Sequence, residues 1–216
     1  MLAAPPRGSD QGPFAIWSRS LLIYVIRHGQ TDWNAERRLQ GQKDIPLNAI
    51  GREQARQNGI NLAEILKVEG IEFDFIASPL GRTRATMEIA REAMNLPPKD
   101  YRTDERLVEV SFGDWEGFTV KELKATAKER IVERNLNKWD FIPPGADAES
   151  YEIMSWRVAS WLNEVDRPTV CVTHGGVIRS LFRTIANVPK DEAAEGEIPQ
   201  DRILKIETDT KQIAWI

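Results

Sequence analysis

The chain has 216 residues, 41% hydrophobic and 29% charged, which suits one soluble globular domain and excludes a disordered chain, a collagen-like repeat or a coiled coil. Twenty-nine Lys and Arg against 33 Asp and Glu leave a formal charge of −4, without the basic excess that general nucleic-acid binding requires. A single cysteine, Cys171, cannot close an internal disulfide, and the longest apolar run near the N-terminus, residues 21–26, is too short to cross a bilayer. The expected setting is the cytoplasm, with neither membrane nor nucleic acid as partner.

In chain order, residues 1–19 are rich in proline and glycine and read as an unstructured extension before one domain over 20–216. Residues 21–26 (LLIYVI) form a continuous apolar, partly β-branched run, the pattern of a strand buried on both faces. A polar loop follows to Pro46. After Asn48, a fair N-cap, Ile50, Ala55, Leu62, Ile65 and Leu66 recur near a 3.6-residue spacing and predict a helix that Gly51 and Gly59 weaken. Residues 73–77 (FDFIA) predict a second buried strand, ended by Ser78-Pro79. A helix is expected over 82–94, stopped by Pro97-Pro98, and an extended segment over 102–110. Residues 117–145 are mixed, with a charged helical stretch around 121–134, and read as a lid with Trp139 and Phe141 as candidate contacts, although large aromatics more often serve packing. Further expectations are a helix over 150–165, a third buried strand at 169–173 (TVCVT), a helix over 175–186, and short strands over 202–207 and 212–216 joined by a turn. Alternating strands and helices predict an α/β fold with a mostly parallel sheet.

Both histidines of the chain follow a buried strand directly and precede glycine: Ile26-Arg27-His28-Gly29 and Val172-Thr173-His174-Gly175-Gly176. Ligands of open α/β sheets bind just beyond the carboxyl ends of the strands. If the two strands are neighbours, the imidazoles face one crevice. A lone strand-end histidine is more simply explained by a bond to a carbonyl, but the repeated strand-His-Gly context favours a shared site. Arg27 adds a permanent charge and a planar fork of donors that matches phosphate or carboxylate. Two histidines with no nearby Asp/Glu cluster at ligand spacing make a poor metal site.

The run Arg27-His28-Gly29-Gln30-Thr31-Asp32-Trp33-Asn34 resembles the signature of the histidine phosphatase superfamily, the phosphoglycerate mutase-like proteins. The likeness continues at Arg38-Leu39-Gln40-Gly41-Gln42, Asp44-Ile45-Pro46-Leu47-Asn48 and Gly51-Arg52-Glu53-Gln54-Ala55. It resumes at Ser78-Pro79-Leu80-Gly81-Arg82-Thr83-Arg84-Ala85-Thr86, at Leu107–Gly117 and at Val172–Arg179. These blocks span about residues 21–185 in order. The resemblance implies a three-layer α/β/α sandwich around a mostly parallel, roughly six-stranded sheet. It implies that His28 is the nucleophile, that Arg27, Arg82 and His174 hold the phosphoryl oxygens, and that Glu109 protonates the leaving oxygen and then deprotonates water. Gln30, Thr31, Asn34, Gln40, Gly41 and Gly175 would line the substrate side. No metal and no cofactor is implied. The partner would be a small-molecule phosphomonoester, with room left for a homodimer.

The chemistry agrees with these roles. Phosphoryl transfer rests on in-line positioning and neutralisation of equatorial oxygen charge. Two arginines and an imidazolium supply that charge without a metal. His28 must be neutral to attack, with one ring nitrogen donating, most simply to a backbone carbonyl, so that the other keeps its lone pair. From spacing alone Arg82 is equally a helix-surface arginine and Glu109 an exposed strand carboxylate, with Glu116 as a competitor; the family pattern selects Arg82 and Glu109.

Two departures point within the superfamily. Gln30 stands where many members have Glu. Residues 110–115 (VSFGDW) replace the Arg-His-Tyr-Gly-like run of the mutase branch. The expected activity is therefore metal-independent phosphomonoester hydrolysis through a phosphohistidine. Phosphoglycerate mutase-type transfer is the alternative, and a catalytically silent phosphate-binding protein ranks behind both.

Overall fold

The computed structural model describes residues 21–216; the extension expected over 1–19 lies outside them. Six strands form one sheet in the order β3-β2-β4-β1-β5-β6: β1 (Leu22–Arg27), β2 (Asp74–Ala77), β3 (Arg102–Thr103), β4 (Thr169–Thr173), β5 (Ile203–Glu207) and β6 (Gln212–Trp215). The β1–β4, β2–β4 and β2–β3 ladders are parallel, and β1–β5 and β5–β6 are antiparallel. Helices cover both faces, so this is an α/β fold with a mixed sheet.

Period-2 alternation sends neighbouring side chains to opposite layers. From β1, Ile23 and Val25 pack with Ile178, Leu181, Met154 and Val158, the last four from α6 (Tyr151–Glu164) and α7 (Gly175–Ala186). Tyr24 and Ile26 face the other way, onto Leu62 of α2 (Ala49–Glu69) and Met87 of α3 (Gly81–Ala93). Because both faces are covered, the central strands read as unbroken apolar runs.

Asn48 caps α2 through its side-chain oxygen, which accepts from Gly51 N–H at 2.9 Å. The glycines that weaken this helix permit close packing. A Cβ on Gly59 would lie 2.4 Å from the carbonyl oxygen of Ala90, so Gly59 lets α3 approach. A Cβ on Gly51 would lie 2.1 Å from the carbonyl oxygen of Gln30, and one on Gly29 would lie 2.1 Å from that of Gly51. Two bare backbones thus press the loop after β1 onto the start of α2.

The extended segment expected over 102–110 ends at Thr103. A 3₁₀ turn at Glu105–Leu107 follows, because Asp104 accepts from Arg106 N–H at 2.9 Å and starts a turn. The charged stretch around 121–134 divides into α4 (Val120–Thr126) and α5 (Lys128–Leu136), and a further short helix, α8, spans Lys190–Glu195. The sequence reading missed both α8 and α1 (Asp32–Ala35), each under two turns and without a clear apolar period. Of the two readings, packing holds for Trp139 and Phe141. Trp139 is fully buried in the main core and donates from its indole N–H to Glu152 at 2.6 Å, and Phe141 stacks on Trp115. Burial of these two aromatics anchors the segment to the domain.

Candidate active site

Strand order decides the site. β1 and β4 are adjacent and parallel with Arg27 opposite Thr173, so His28 and His174 leave neighbouring carboxyl ends. Their rings meet edge to face with centroids 5.2 Å apart. β2 flanks β4 on its other side, and Ser78 at its end brings Oγ to 2.8 Å from Nε2 of His174.

His28 is buried. Its Nδ1 lies 2.8 Å from the carbonyl oxygen of Gly29, an acceptor that fixes the proton on Nδ1 and leaves the lone pair on Nε2. The single N–H of Arg82 Nε is shared, 3.3 Å from that lone pair and 2.6 Å from the Gln40 amide oxygen. Burial, then the charges of Arg82 and Arg27, hold the imidazole well below its ordinary pKa, against a smaller opposing pull from the Gly29 carbonyl. The ring is neutral near neutral pH.

His174 is also buried and held well below its ordinary value, by burial first and then by Arg82, His28, Arg27 and Arg157. The expected imidazolium is therefore corrected to a neutral imidazole. Its contribution is a hydrogen bond, and the positive charge comes from the arginines.

Burial pushes both Arg27 and Arg82 down to about 10, which leaves them cationic, and the Glu109 carboxylate is the strongest charge opposing that shift in each case. Arg82 stands in the first turn of α3. Its two terminal nitrogens donate to the carbonyls of Lys43 and Gly41, each at 2.7 Å. Asp44 caps α3 in place of a local side chain, accepting from Gly81 N–H at 2.7 Å. The Gln40 amide fits with its nitrogen 2.5 Å from Thr31 Oγ1 and its oxygen 2.6 Å from Arg82 Nε. Loop 40–44 and the guanidinium hold one another. Thr86, one turn beyond Arg82, accepts from Gly29 N–H at 3.1 Å and so ties α3 to the nucleophile loop.

Glu109 is half-buried. Its carboxylate accepts from Gly176 N–H at 3.1 and 3.2 Å, at the positive end of α7, and from Val110 N–H at 3.0 Å. A Cβ on Gly176 would lie 2.3 Å from Glu109 Oε1, so the second glycine after His174 makes room for this carboxylate. Arg157 fixes the backbone beneath: its nitrogens donate to the carbonyls of Arg106, Val108 and Glu109 at 2.8, 2.6 and 3.2 Å and pair with Glu149 at 2.9 Å. Glu116, the competing carboxylate, accepts from the N–H groups of Gln42 and Phe112, which makes it a brace for the loop.

The expected site residues thus fall into two layers. His28, Arg82, Glu109, His174 and Arg27 converge, with Gly41 and Gln40 directly behind Arg82 and Gly175 beside Arg27. A Cβ on Gly175 would lie 3.5 Å from Arg27 Nε. The side chains of Thr31 and Asn34 brace the site from behind, through Gln40 and Gln200, and that of Gln30 is turned to Asn48. Gln30 accepts from Asn48, while Thr31 and Asn34 form a reciprocal capping box on α1. The sequence reading passed over Ser78, Arg157, Gly176 and Gln200, whose amide donates to the His28 carbonyl at 3.0 Å and to Asn34 at 3.2 Å. Ser78, which follows its strand as each histidine follows its own, and Gly176, in the glycine pair after His174, carried a signal; Arg157 and Gln200 carried none.

Two buried polar atoms of this cluster, Arg27 Nε and His174 Nδ1, have no partner. Such orphans are rare in native folds and cost free energy, which an incoming oxyanion can recover. Among the described residues no three His, Cys, Asp or Glu side chains group as a metal site, and no helix is long and apolar enough to cross a membrane.

The neutral histidines have a consequence for stability. The unfolded chain takes up protons on histidine near pH 6.5. Below that pH the unfolded state binds protons that the folded state refuses, so stability falls as pH falls. The decline is about 1.4 kcal/mol per pH unit for each histidine, until its folded value is reached. Above about pH 7 the contribution to the slope vanishes. Thermal unfolding followed from about pH 8 to about pH 5 is expected to show a shallower decline for His28→Gln than for wild type. Parallel curves would mean that His28 protonates inside the fold.

Comparison with known proteins agrees with this geometry. Residues 23–215 match the family model of the histidine phosphatase superfamily, branch 1. The chain is 39% identical over 175 residues to the protein named "Probable phosphoglycerate mutase GpmB" of Enterobacter sp. (strain 638), covering 78% of this chain and 76% of that protein. The Escherichia coli protein described as "a putative alpha-ribazole-5'-P phosphatase" superposes with a TM-score of 0.73 at 25% identity, over 92% of this chain and 95% of the other. Bacillus stearothermophilus YhfR superposes with a TM-score of 0.72 at 27% identity, over 90% and 95%. With residues 23–215 matched by that family model and a relative 39% identical over about three quarters of both chains, the chain belongs to the histidine phosphatase superfamily.

Proposed function

We propose that this protein hydrolyses a small phosphomonoester by a metal-independent, two-step transfer through His28. The observation that carries the reading is the state of His28: buried, neutral, with Nδ1 committed to Gly29 and the Nε2 lone pair directed at Arg82. An arriving phosphoryl group takes the Arg82 donor for its own oxygens and releases the lone pair to attack. A P–N bond to Nε2 forms as the P–O bond to the alcohol breaks, and the Glu109 carboxylate relays to the departing oxygen the proton that a monoanionic phosphomonoester carries in. Water then enters. Glu109 takes its proton, the P–N bond breaks, and inorganic phosphate leaves with His28 neutral again. Arg27, Arg82 and the His174 N–H carry the equatorial oxygens through both steps.

A mutase is the second reading, favoured by the name of the relative at 39% identity. It requires the dephosphorylated intermediate to stay bound and water to stay out. The segment carrying Glu109 supplies little grip for that, since Ser111 spends its N–H on Glu149 and its hydroxyl on Gly113 N–H. With 3-phosphoglycerate the expected products are glycerate and inorganic phosphate, with no more than traces of 2-phosphoglycerate. The same release is expected after EDTA treatment. Rapid isomer exchange with little free phosphate would replace the hydrolase by the mutase, and activity restored only by a divalent cation would remove the metal-free mechanism.

A further inference from the structure

His174 stands in the middle of the strand order β2-β4-β1, between the end of β2 and the end of β1. Its Nε2 is turned to β2, 2.8 Å from Ser78 Oγ, and both residues are fully buried. The backbone of Ser78 is fixed on two sides. Its N–H donates to the Val172 carbonyl of β4 at 3.0 Å, and its own carbonyl accepts from Thr83 Oγ1 at 2.8 Å. Thr83 follows Arg82 on α3. The turn that places the guanidinium therefore also places this hydroxyl.

The contact between Ser78 and His174 admits two arrangements of protons. A neutral imidazole has one N–H and one lone pair, and burial among arginines keeps His174 neutral. If Nε2 carried the proton and donated to Oγ, the hydroxyl proton of Ser78 would have no acceptor. Among the described residues no other group bonds that oxygen. The lone pair would then sit on Nδ1, in the path of a phosphoryl oxygen that brings electron density and no proton. If Oγ donates to Nε2 instead, the serine proton is satisfied and the ring proton sits on Nδ1. Nδ1 is buried without a partner, and so is Arg27 Nε. Two unmatched buried donors in one cluster of arginines and histidines are what an oxyanion satisfies.

We infer that Ser78 is a positioning residue for phosphoryl transfer: by donating to Nε2 it holds His174 as the Nδ1–H tautomer, whose N–H is given to a phosphoryl oxygen. The inference rests on the phosphoryl-transfer reading and adds the residue that sets this proton. Ser78 is to His174 what the Gly29 carbonyl is to His28, with the opposite yield. The carbonyl accepts from Nδ1 and frees the Nε2 lone pair for phosphorus, whereas the hydroxyl donates to Nε2 and frees the Nδ1 proton for oxygen.

The chain has two histidines, so long-range proton–nitrogen correlation spectra of ¹⁵N-labelled protein at about pH 8 read both rings, with His28→Gln assigning them. Protonated and bare ring nitrogens resonate far apart, and Nε2 correlates with both ring C–H protons where Nδ1 correlates strongly with one. Wild type should carry the His174 proton on Nδ1, and Ser78→Ala should move it wholly or partly to Nε2. Ser78→Ala should also lower kcat/KM by on the order of 10–100-fold, the scale of one hydrogen bond to a charged group. The loss should be alike for alkyl and aryl phosphates, since the bond is to the phosphoryl group and not to the leaving oxygen. In a His174→Ala background the same substitution should cost no more than about two-fold, because the proton it sets is gone. Circular dichroism of each variant checks that the fold persists, and the wild-type spectrum decides the tautomer without any variant of Ser78. A His174 protonated on Nε2 in wild type, unchanged turnover by Ser78→Ala, or losses that multiply across the two substitutions would overturn the role of Ser78 and leave the hydrolase reading intact. Turnover of neither substrate type by wild type would sink the phosphoryl-transfer reading itself, and the inference with it.

Discussion

Replacing His28 by alanine is expected to lower phosphate release by on the order of 10⁴–10⁶-fold, the scale on which loss of a catalytic nucleophile is felt. No second nucleophile stands in its place. Cys171 is fully buried in β4, where burial pushes its thiol pKa far up, and the His174 ring is engaged through Nε2 with Ser78. The fold should survive, because the lost ring has one local bond, to the adjacent Gly29 carbonyl, and one weak contact with Arg82. Turnover of a ³²P-labelled substrate, quenched in alkaline denaturant, should leave alkali-stable, acid-labile label on wild type and none on the variant. Near-normal turnover by the variant, or label on any other residue, would exclude the mechanism.

Glu109→Gln is expected to lose on the order of 10²–10⁴-fold, the usual contribution of a positioned general acid. The loss should be uneven. An alkyl phosphate has a poor leaving group that needs the proton, whereas an aryl phosphate departs with less help. Arg157→Lys gives an independent check. Lysine keeps the charge but not the fork of donors that reaches three carbonyls around Glu109 and pairs with Glu149. It should reproduce the same alkyl-over-aryl pattern at a smaller magnitude. Equal losses for both substrate types in Glu109→Gln would reduce Glu109 to a structural carboxylate at the start of α7.

What could be read without a structure was local. The strands at 22–27 and 169–173 are covered on both faces, so their sequences are unbroken apolar runs. The cap at Asn48 acts on an amide three residues away. The position of each histidine at a strand end, before glycine, was legible for the same reason: strand, turn and glycine are neighbours along the chain. The family pattern then added Arg82 and Glu109, for which local spacing had no preference between site and surface.

Tertiary structure decided the rest, through contacts that no local period records. The order β2-β4-β1 places Ser78 on a histidine 96 residues away and Arg82 on one 54 residues away. Burial among arginines makes both imidazoles neutral, where residue types alone suggested an imidazolium for His174. Gly51 and Gly59, which read as helix weaknesses, prove to be points where two backbones come within contact distance, and Gly176 makes room for the Glu109 carboxylate. Arg157 and Gln200 carry no motif, since their function is to bond main-chain carbonyls whose identity depends only on which segments the fold brings together. The lid aromatics went to the core because large apolar surface gains more from burial than from a solvent-facing mouth.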